Sequence, residues 1–119
     1  MSEIRTHTGG CHCGKVRYEA TVALDTLMSC NCSMCGKTGA LMAFASAPPF
    51  KLLSGEGALS DYQFGKARIH HLFCRTCGVR SFATGPMPDG SIAYSINVRC
   101  LDGVDPDAFP VKKVDGKSF

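Results

Sequence analysis

The chain has 119 residues, eight of them cysteine, and a formal net charge of +3 at pH 7. That length suffices for one domain, taken here as residues 1–119, whose modest core would need crosslinks from metal or disulfides. The N-terminus lacks an apolar signal segment, and the longest apolar run, from Ala40 to Ala45, is far too short to span a bilayer. We therefore expect a cytoplasmic protein without a membrane segment, in which clustered cysteines indicate metal ligands rather than disulfides.

The positive net charge gives little support for a nucleic-acid partner. Lysine and arginine are scattered along the chain and form no basic run. Zinc ligands are thiolates, so seven cysteines binding two zinc ions would bring the net charge to about zero. The sequence therefore argues against nucleic acid as a partner, and it leaves a homo-oligomer open.

Apolar and polar residues alternate in short segments separated by glycine and proline, which predicts a mainly β domain of short antiparallel sheets. The predicted strands cover residues 16–22, 41–45, 50–53, 69–74 and 91–101. In the last of them Ile96, Val98 and Cys100 fall on the apolar face. Asp105 and Pro106 favour one helical turn in the polar tail. The sequence contains no long amphipathic helix and no repeat.

Two pairs of cysteines, far apart in the sequence, have the spacing of a four-sulfur zinc site. The four predicted ligands are Cys11, Cys13, Cys74 and Cys77. The glycines after each pair, Gly14 and Gly78, let the backbone turn so that its amides face sulfur. Such a site would crosslink distant segments and contribute roughly 10 kcal/mol or more to folding. The rival interpretation, a dithiol redox pair, normally needs a helix N-terminus in a βαβ setting, which this sequence lacks.

The segment from Cys30 to Cys35 holds three cysteines in six residues and predicts a second zinc site. Cys30, Cys32 and Cys35 can surround one ion and leave its fourth position open, which distinguishes a catalytic from a structural zinc site. Folding could also supply a fourth ligand from Cys100, a histidine or an acid, and the site would then be structural. Cys100 otherwise has the place of a core residue.

The histidines are weaker candidates for either site. His12 lies between two predicted ligands and is expected to point away from that metal. His70 and His71 fall on opposite faces of their strand, so at most one of them can line a given pocket. We expect ordinary surface or core roles for these side chains.

The ligand type of the second site constrains its chemistry. Three thiolates give zinc a net charge of about −1 before a fourth ligand binds, which makes it a poor Lewis acid. Such a site activates water less well than one built from histidines, but it can hold a substrate thiol as a nucleophilic thiolate. The ligands therefore predict activation of a small thiol for attack on a small aldehyde, or the reverse reaction.

Three cysteine motifs follow one another along the chain. They are Gly9-Gly10-Cys11-His12-Cys13-Gly14, Cys30-Asn31-Cys32-Ser33-Met34-Cys35 and Phe73-Cys74-Arg75-Thr76-Cys77-Gly78. In this order they resemble the motifs of the glutathione-dependent formaldehyde-activating enzymes, a family grouped with centromere protein V. The segment from Asn97 to Leu101 also looks like the late strand of that family, so the resemblance runs from Gly10 to about Asp105.

The resemblance implies a single zinc-clamped β-tent domain with a structural zinc on the four-cysteine set and a catalytic zinc on Cys30, Cys32 and Cys35. It also implies a carbon–sulfur lyase that takes glutathione and promotes its addition to formaldehyde, which forms S-hydroxymethylglutathione. Lys37 and Arg99 are candidates for binding a carboxylate of the substrate.

Two other functions stay open at this point. A noncatalytic zinc module that binds a protein or nucleic acid predicts a fourth protein ligand or a charged patch, whereas a lyase needs an open pocket beside Cys32. A redox function for Cys100 would require an exposed thiol with a lowered pKa.

Overall fold

The computed structural model describes residues 4–46, 50–63 and 69–115. Within these ranges the strands are β1 (Ile4–Gly10), β2 (Arg17–Ala23), β3 (Leu27–Cys30), β4 (Met42–Ser46), β5 (Phe50–Ser54), β6 (Leu59–Tyr62), β7 (His70–Cys74), β8 (Phe82–Pro86), β9 (Ile92–Asn97) and β10 (Val111–Val114). A short helix, α1, covers Cys35–Thr38, and one-turn 3₁₀ helices cover Glu56–Ala58, Val98–Cys100 and Pro106–Ala108. No helix in the described ranges is long and apolar enough to cross a membrane.

The strands form two sheets. The three-stranded sheet has the order β1-β2-β5 and is antiparallel. The seven-stranded sheet has the order β10-β3-β4-β9-β8-β7-β6, and in it only the pair of β10 with β3 is parallel within the described residues. The predicted mainly β class with short sheets is confirmed. The predicted antiparallel pairing holds for the other described ladders and departs only at this pair, because a long return of the chain, unlike a hairpin, can place two strands parallel.

The core lies between the two sheets and is centred on four aromatic rings. Tyr18 of β2 and Phe50 of β5 stack with their ring centroids 5.1 Å apart. The Phe50 ring also stacks on Tyr94 of β9, with the ring centroids 4.3 Å apart, and packs against Phe82 of β8, with the centroids 4.8 Å apart. The buried Tyr18 hydroxyl donates to the backbone carbonyl of Ser81 at 3.0 Å. Each offset aromatic pair stabilises the fold by about 0.5–1.5 kcal/mol beyond the area it buries.

Four of the five predicted strands, namely β2, β4, β5 and β7, lie within one residue of their predicted positions. The fifth, predicted for residues 91–101, ends at Asn97. There the Asn97 side chain accepts a hydrogen bond from the backbone N–H of Arg99, and the chain turns into the 3₁₀ helix Val98–Cys100. Cys100 therefore does not share the strand face of Ile96, contrary to the prediction.

The tail has more structure than its polar sequence indicates. The predicted helical turn is confirmed, since the Asp105 side chain caps Pro106–Ala108 by accepting from the backbone N–H of Asp107. Strand β10 follows, although three of its four residues are exposed. Backbone hydrogen bonds pair β10 with β3; for example, the N–H of Leu27 donates to the carbonyl of Pro110 at 2.9 Å. The sequence of β10 therefore shows no apolar alternation that would predict this pairing.

We predict that Gly55→Ala lowers the free energy of unfolding by about 2–4 kcal/mol. Gly55 has a φ of +94°, and an added Cβ would lie 2.5 Å from the carbonyl oxygen of Lys15. Gly90 is the matched control, because its φ is +89° but an added Cβ would meet nothing within 4 Å. Gly90→Ala should cost only about 1 kcal/mol. Urea denaturation followed by circular dichroism measures both, and equal losses would contradict the close packing at Gly55.

Candidate metal centres

The first cysteine group brings together turns of the two sheets. Cys11 and Cys13 lie in the turn between β1 and β2, whereas Cys74 ends β7 and Cys77 lies in the turn that leads to β8. Their four Sγ atoms all lie within 4.8 Å of one another. The structure thus brings together two cysteines from each of two turns, the same four residues that the sequence groups.

Local backbone geometry aims amide groups at these sulfurs. Gly14 and Gly78 adopt the left-handed conformation, with φ of +85° and +80°, and so allow both turns. The N–H of Val16 donates to Sγ of Cys11 at 3.3 Å, and that of Thr76 donates to Sγ of Cys74 at 3.4 Å. Amide donors stabilise a thiolate over a thiol, and thiolate is the form that binds metal.

Other backbone N–H groups of these turns lower the pKa of Cys77 and Cys74. Backbone N–H groups of Val79 and Cys13 lower the pKa of Cys77 to about 6. The pKa of Cys74 is also lowered, mainly by the backbone N–H of Cys77. Part of the group is therefore prepared as thiolate at neutral pH.

The spacing of the sulfurs fits a tetrahedral ion. A zinc–sulfur bond of about 2.3 Å gives sulfur–sulfur edges of about 3.8 Å in a tetrahedron. Sγ of Cys13 lies 3.6 Å from Sγ of both Cys11 and Cys74. Four thiolates at this spacing are a donor set that zinc favours, and they fill a tetrahedral coordination shell.

The second group is built within one loop. Cys30 ends β3, Cys32 lies in the connection, and Cys35 is the first residue of α1. Their Sγ atoms also lie within 4.8 Å of one another. No fourth histidine, cysteine, aspartate or glutamate of the described residues joins this group. The predicted division into a four-sulfur and a three-sulfur set therefore corresponds to two separate clusters.

The three thiols have different surroundings. Burial raises the pKa of Cys35 to about 11. Burial also tends to raise the pKa of Cys32. Hydrogen bonds outweigh burial there, the largest being that from the backbone N–H of Cys35 at 3.3 Å, so the pKa of Cys32 is lowered. The turn is closed by the N–H of Gly36, which donates to the Cys32 carbonyl at 2.8 Å. Cys32 is thus deprotonated more readily than Cys35.

A cavity of about 200 Å³ opens beside Cys30. It lies over the parallel pair of β3 and β10 and is lined by Ser29, Cys30, Asn31, Lys113, Val114 and Asp115. The side-chain amide of Asn31 donates to the Asp115 carboxylate at 2.9 Å and fixes one wall. The cavity brings a lysine, an aspartate and an asparagine next to one edge of the three-cysteine group.

The sequence does not reveal the place of Lys113. Lys37 and Arg99, the predicted carboxylate-binding residues, are both exposed, and neither lines the cavity. Lys113 lines the cavity because β10 pairs with β3 and places Lys113 opposite Ser29. No local signal in the tail indicates that pairing, so the residue could not be found from the sequence.

The histidines join neither cysteine group. His12 is exposed. His70 and His71 lie on opposite faces of β7, as predicted: Nδ1 of His70 is 2.7 Å from the Asp61 carboxylate, and His71 is buried. Nδ1 of His71 is 2.7 Å from the Arg80 guanidinium. Burial, helped by Arg80, lowers the pKa of His71.

Cys100 lies outside both groups. Its Sγ is half-buried and 4.0 Å from the backbone carbonyl of Arg80. Burial raises the pKa of Cys100 to about 11. The redox function considered for this residue required an exposed thiol with a lowered pKa, so the structure contradicts it. Cys100 does not serve as the fourth member of the three-cysteine group either.

The fold and the two clusters define a small, mainly β protein whose cysteine groups can hold metal ions. The sequence matches the family model described as "Glutathione-dependent formaldehyde-activating enzyme" over residues 6–114. The chain belongs to the glutathione-dependent formaldehyde-activating enzyme family, as its motifs predict.

A solved structure supports the same relationship. The crystal structure of a Rhodobacter sphaeroides protein, a Northeast Structural Genomics target, is 33% identical in sequence with a TM-score of 0.76. The match covers 88% of this chain and 99% of that one. The fold described here is thus shared over nearly the whole length of both proteins.

We predict that protein purified without chelator carries about two zinc ions per chain and that the two sites respond differently to mutation. Cys32→Ser should remove one ion and leave the fold intact, because its group lies within one loop. Cys74→Ser should cause unfolding or aggregation, because it opens the link between the sheets. Elemental analysis and thermal circular dichroism test this. Equal stability of the two variants would refute the division into a structural and a catalytic site.

Proposed function

We propose that the protein is a zinc-dependent carbon–sulfur lyase that activates a glutathione-like thiol for reversible addition to formaldehyde or a small aldehyde. The observation that carries this proposal is the three-sulfur group, which has no fourth ligand among the described residues and borders a cavity. Membership of a family of formaldehyde-activating enzymes supports the same chemistry. In the proposed reaction a carbon–sulfur bond forms between thiol and aldehyde, and the thiol proton ends on the new hydroxyl group.

Zinc held by three thiolates would supply a position at which a substrate thiol binds as a nucleophilic thiolate. Cys30, Cys32 and Cys35 would be its ligands. The amide of Cys35 holds the sulfur of Cys32 in place, and burial of Cys35 shields one side of the group from water. Cys30 also lines the cavity, where a small thiol and aldehyde would meet.

The other residues have supporting roles in this proposal. Cys11, Cys13, Cys74 and Cys77 would hold the structural zinc. Lys113 would bind a carboxylate of the thiol substrate, because this residue lines the cavity next to Cys30. We also propose that the protein acts in the cytoplasm as a single domain, since a reducing compartment keeps both the cysteines and a glutathione-like substrate as thiols.

We predict that cobalt at the three-cysteine site reports thiol binding directly. Cobalt accepts the same tetrahedral sulfur ligands, and its absorption depends on the number of thiolates attached. Added glutathione should strengthen the sulfur-to-metal charge-transfer bands and release a proton at neutral pH. Formaldehyde should reverse the change, because the adduct is a thioether and a weaker ligand. A spectrum that ignores every thiol would favour a noncatalytic zinc module.

We predict that Lys113→Met weakens the binding of glutathione about tenfold in the same assay, because a charge-assisted hydrogen bond to a carboxylate is lost. Mercaptoethanol, which has no carboxylate, should bind the wild-type protein and Lys113→Met with equal affinity. Lys112→Met is the matched control, since Lys112 is the preceding residue of β10 and does not line the cavity. Equal affinities of the Lys113 and Lys112 variants for glutathione would remove Lys113 from the proposed site.

A further inference from the structure

Arg80 is a buried cation that the sequence did not single out. The residue is only 8% exposed. One terminal nitrogen, Nη1, donates to Nδ1 of His71 at 2.7 Å, and the other, Nη2, lies 3.9 Å from Sδ of Met42. Arginine can only donate, so Nδ1 of His71 must be the acceptor and its ring carries its proton on Nε2. Nε of Arg80 has no hydrogen-bond partner among the described residues.

The described part of the chain provides no carboxylate that pairs with this guanidinium. Asp61, on the strand next to β7, is committed to His70 at 2.7 Å, and Asp102 pairs with Arg17. A neutral imidazole and a thioether accept hydrogen bonds but carry no negative charge. A buried charge is costly unless an opposite charge offsets it. Arg80 therefore requires an anion that is not a carboxylate of the described residues.

The register of the sheet places the three-cysteine group close to Arg80. Met42, which the guanidinium contacts, pairs with Met28 of β3. Directly paired residues of neighbouring strands are about 5 Å apart. Cys30 follows Met28 by two residues, or about 7 Å along the strand.

We propose that Arg80 is the counter-cation of the three-cysteine site, where its fixed positive charge favours both the bound metal–thiolate centre and an incoming substrate thiolate. This inference rests on the proposed function in assigning a metal and a thiol to that site. Three thiolates and zinc carry a net charge of about −1, and a fourth thiolate raises it to about −2. Arg80 acts through this charge as a positioning residue, and it need not touch the substrate.

Charge is what distinguishes this role from ordinary packing, so the test compares Arg80→Met with Arg80→Lys. A unit charge at about 10 Å in a protein-like dielectric changes an anion's affinity by roughly tenfold. Arg80→Met should raise the dissociation constant of zinc at the three-cysteine site by that factor, measured by competition with a chelator. Arg80→Lys should restore the constant to within about threefold. The four-cysteine site of each variant serves as an internal control and should be unchanged.

Arg99→Met is the matched surface control. Arg99 lies in the 3₁₀ helix after β9, close in sequence to Cys100, and is exposed. Its loss removes the same charge from the protein and should leave zinc affinity unchanged. A loss as large as that of Arg80→Met would show that net charge alone is responsible and would overturn the proposal. Equal losses of zinc affinity in Arg80→Met and Arg80→Lys would also overturn the proposal, because altered packing would then explain both losses.

Thiol affinity gives a second readout. In the cobalt protein Arg80→Met should bind glutathione and mercaptoethanol more weakly by about the same factor, roughly tenfold, because the charge acts on the thiolate that both share. An unchanged affinity would refute this part of the inference. If the wild-type protein binds no thiol, the proposed lyase function fails, and the zinc competition still decides the role of Arg80.

A measurement on the wild-type protein covers the case in which Arg80→Met does not fold. The Nε–H signal of Arg80 can be followed by nuclear magnetic resonance while zinc fills the three-cysteine site. The signal should shift in the wild type and stay in place in Cys32→Ser, which retains only the four-cysteine site. A signal that responds equally in both proteins would contradict the proposed electrostatic link.

Discussion

The convergence of four sulfurs from the two sheets is the constraint on which the rest of this structure depends. Cys11 and Cys13 come from the turn of the three-stranded sheet, and Cys74 and Cys77 come from a turn of the seven-stranded sheet. The aromatic core between the sheets is small, so it alone offers limited stability for a chain of this length. In the proposed function, a metal ion held by all four sulfurs would fix the separation of the sheets and so support the register in which the aromatic rings pack.

The three-cysteine group has a different relation to the fold. Its sulfurs are held by one loop and by amides of the same loop, so local sequence suffices to bring them together. The surroundings of the group come from elsewhere: β10 supplies the cavity wall, and the loop before β8 supplies Arg80. In the proposed function, binding of an ion and selection of a substrate would therefore depend on different parts of the chain.

The sequence predicts much of this, for identifiable reasons. Cysteine spacing and the glycines after Cys13 and Cys77 are local signals, and both clusters follow from them. Strands with one buried face, such as β2, show the alternation that burial imposes. Strand β10 shows no alternation because it is mostly exposed, and the end of β9 depends on one side-chain cap at Asn97. Lys113 and Arg80 reach their places only through long-range pairing and burial, which no short window of sequence contains.

The parallel pairing of β10 with β3 has a consequence for the order of events during synthesis. The loop from Cys30 to Cys35 is complete early, whereas Lys113 and Asp115 are added about 80 residues later, several seconds afterwards at about 5–20 residues per second. In the proposed function, a metal ion could therefore meet its three sulfurs on the nascent chain before the cavity wall exists. The ribosome would thus separate in time what the folded protein holds side by side, and a newly made chain would be able to acquire its metal before it can select a substrate.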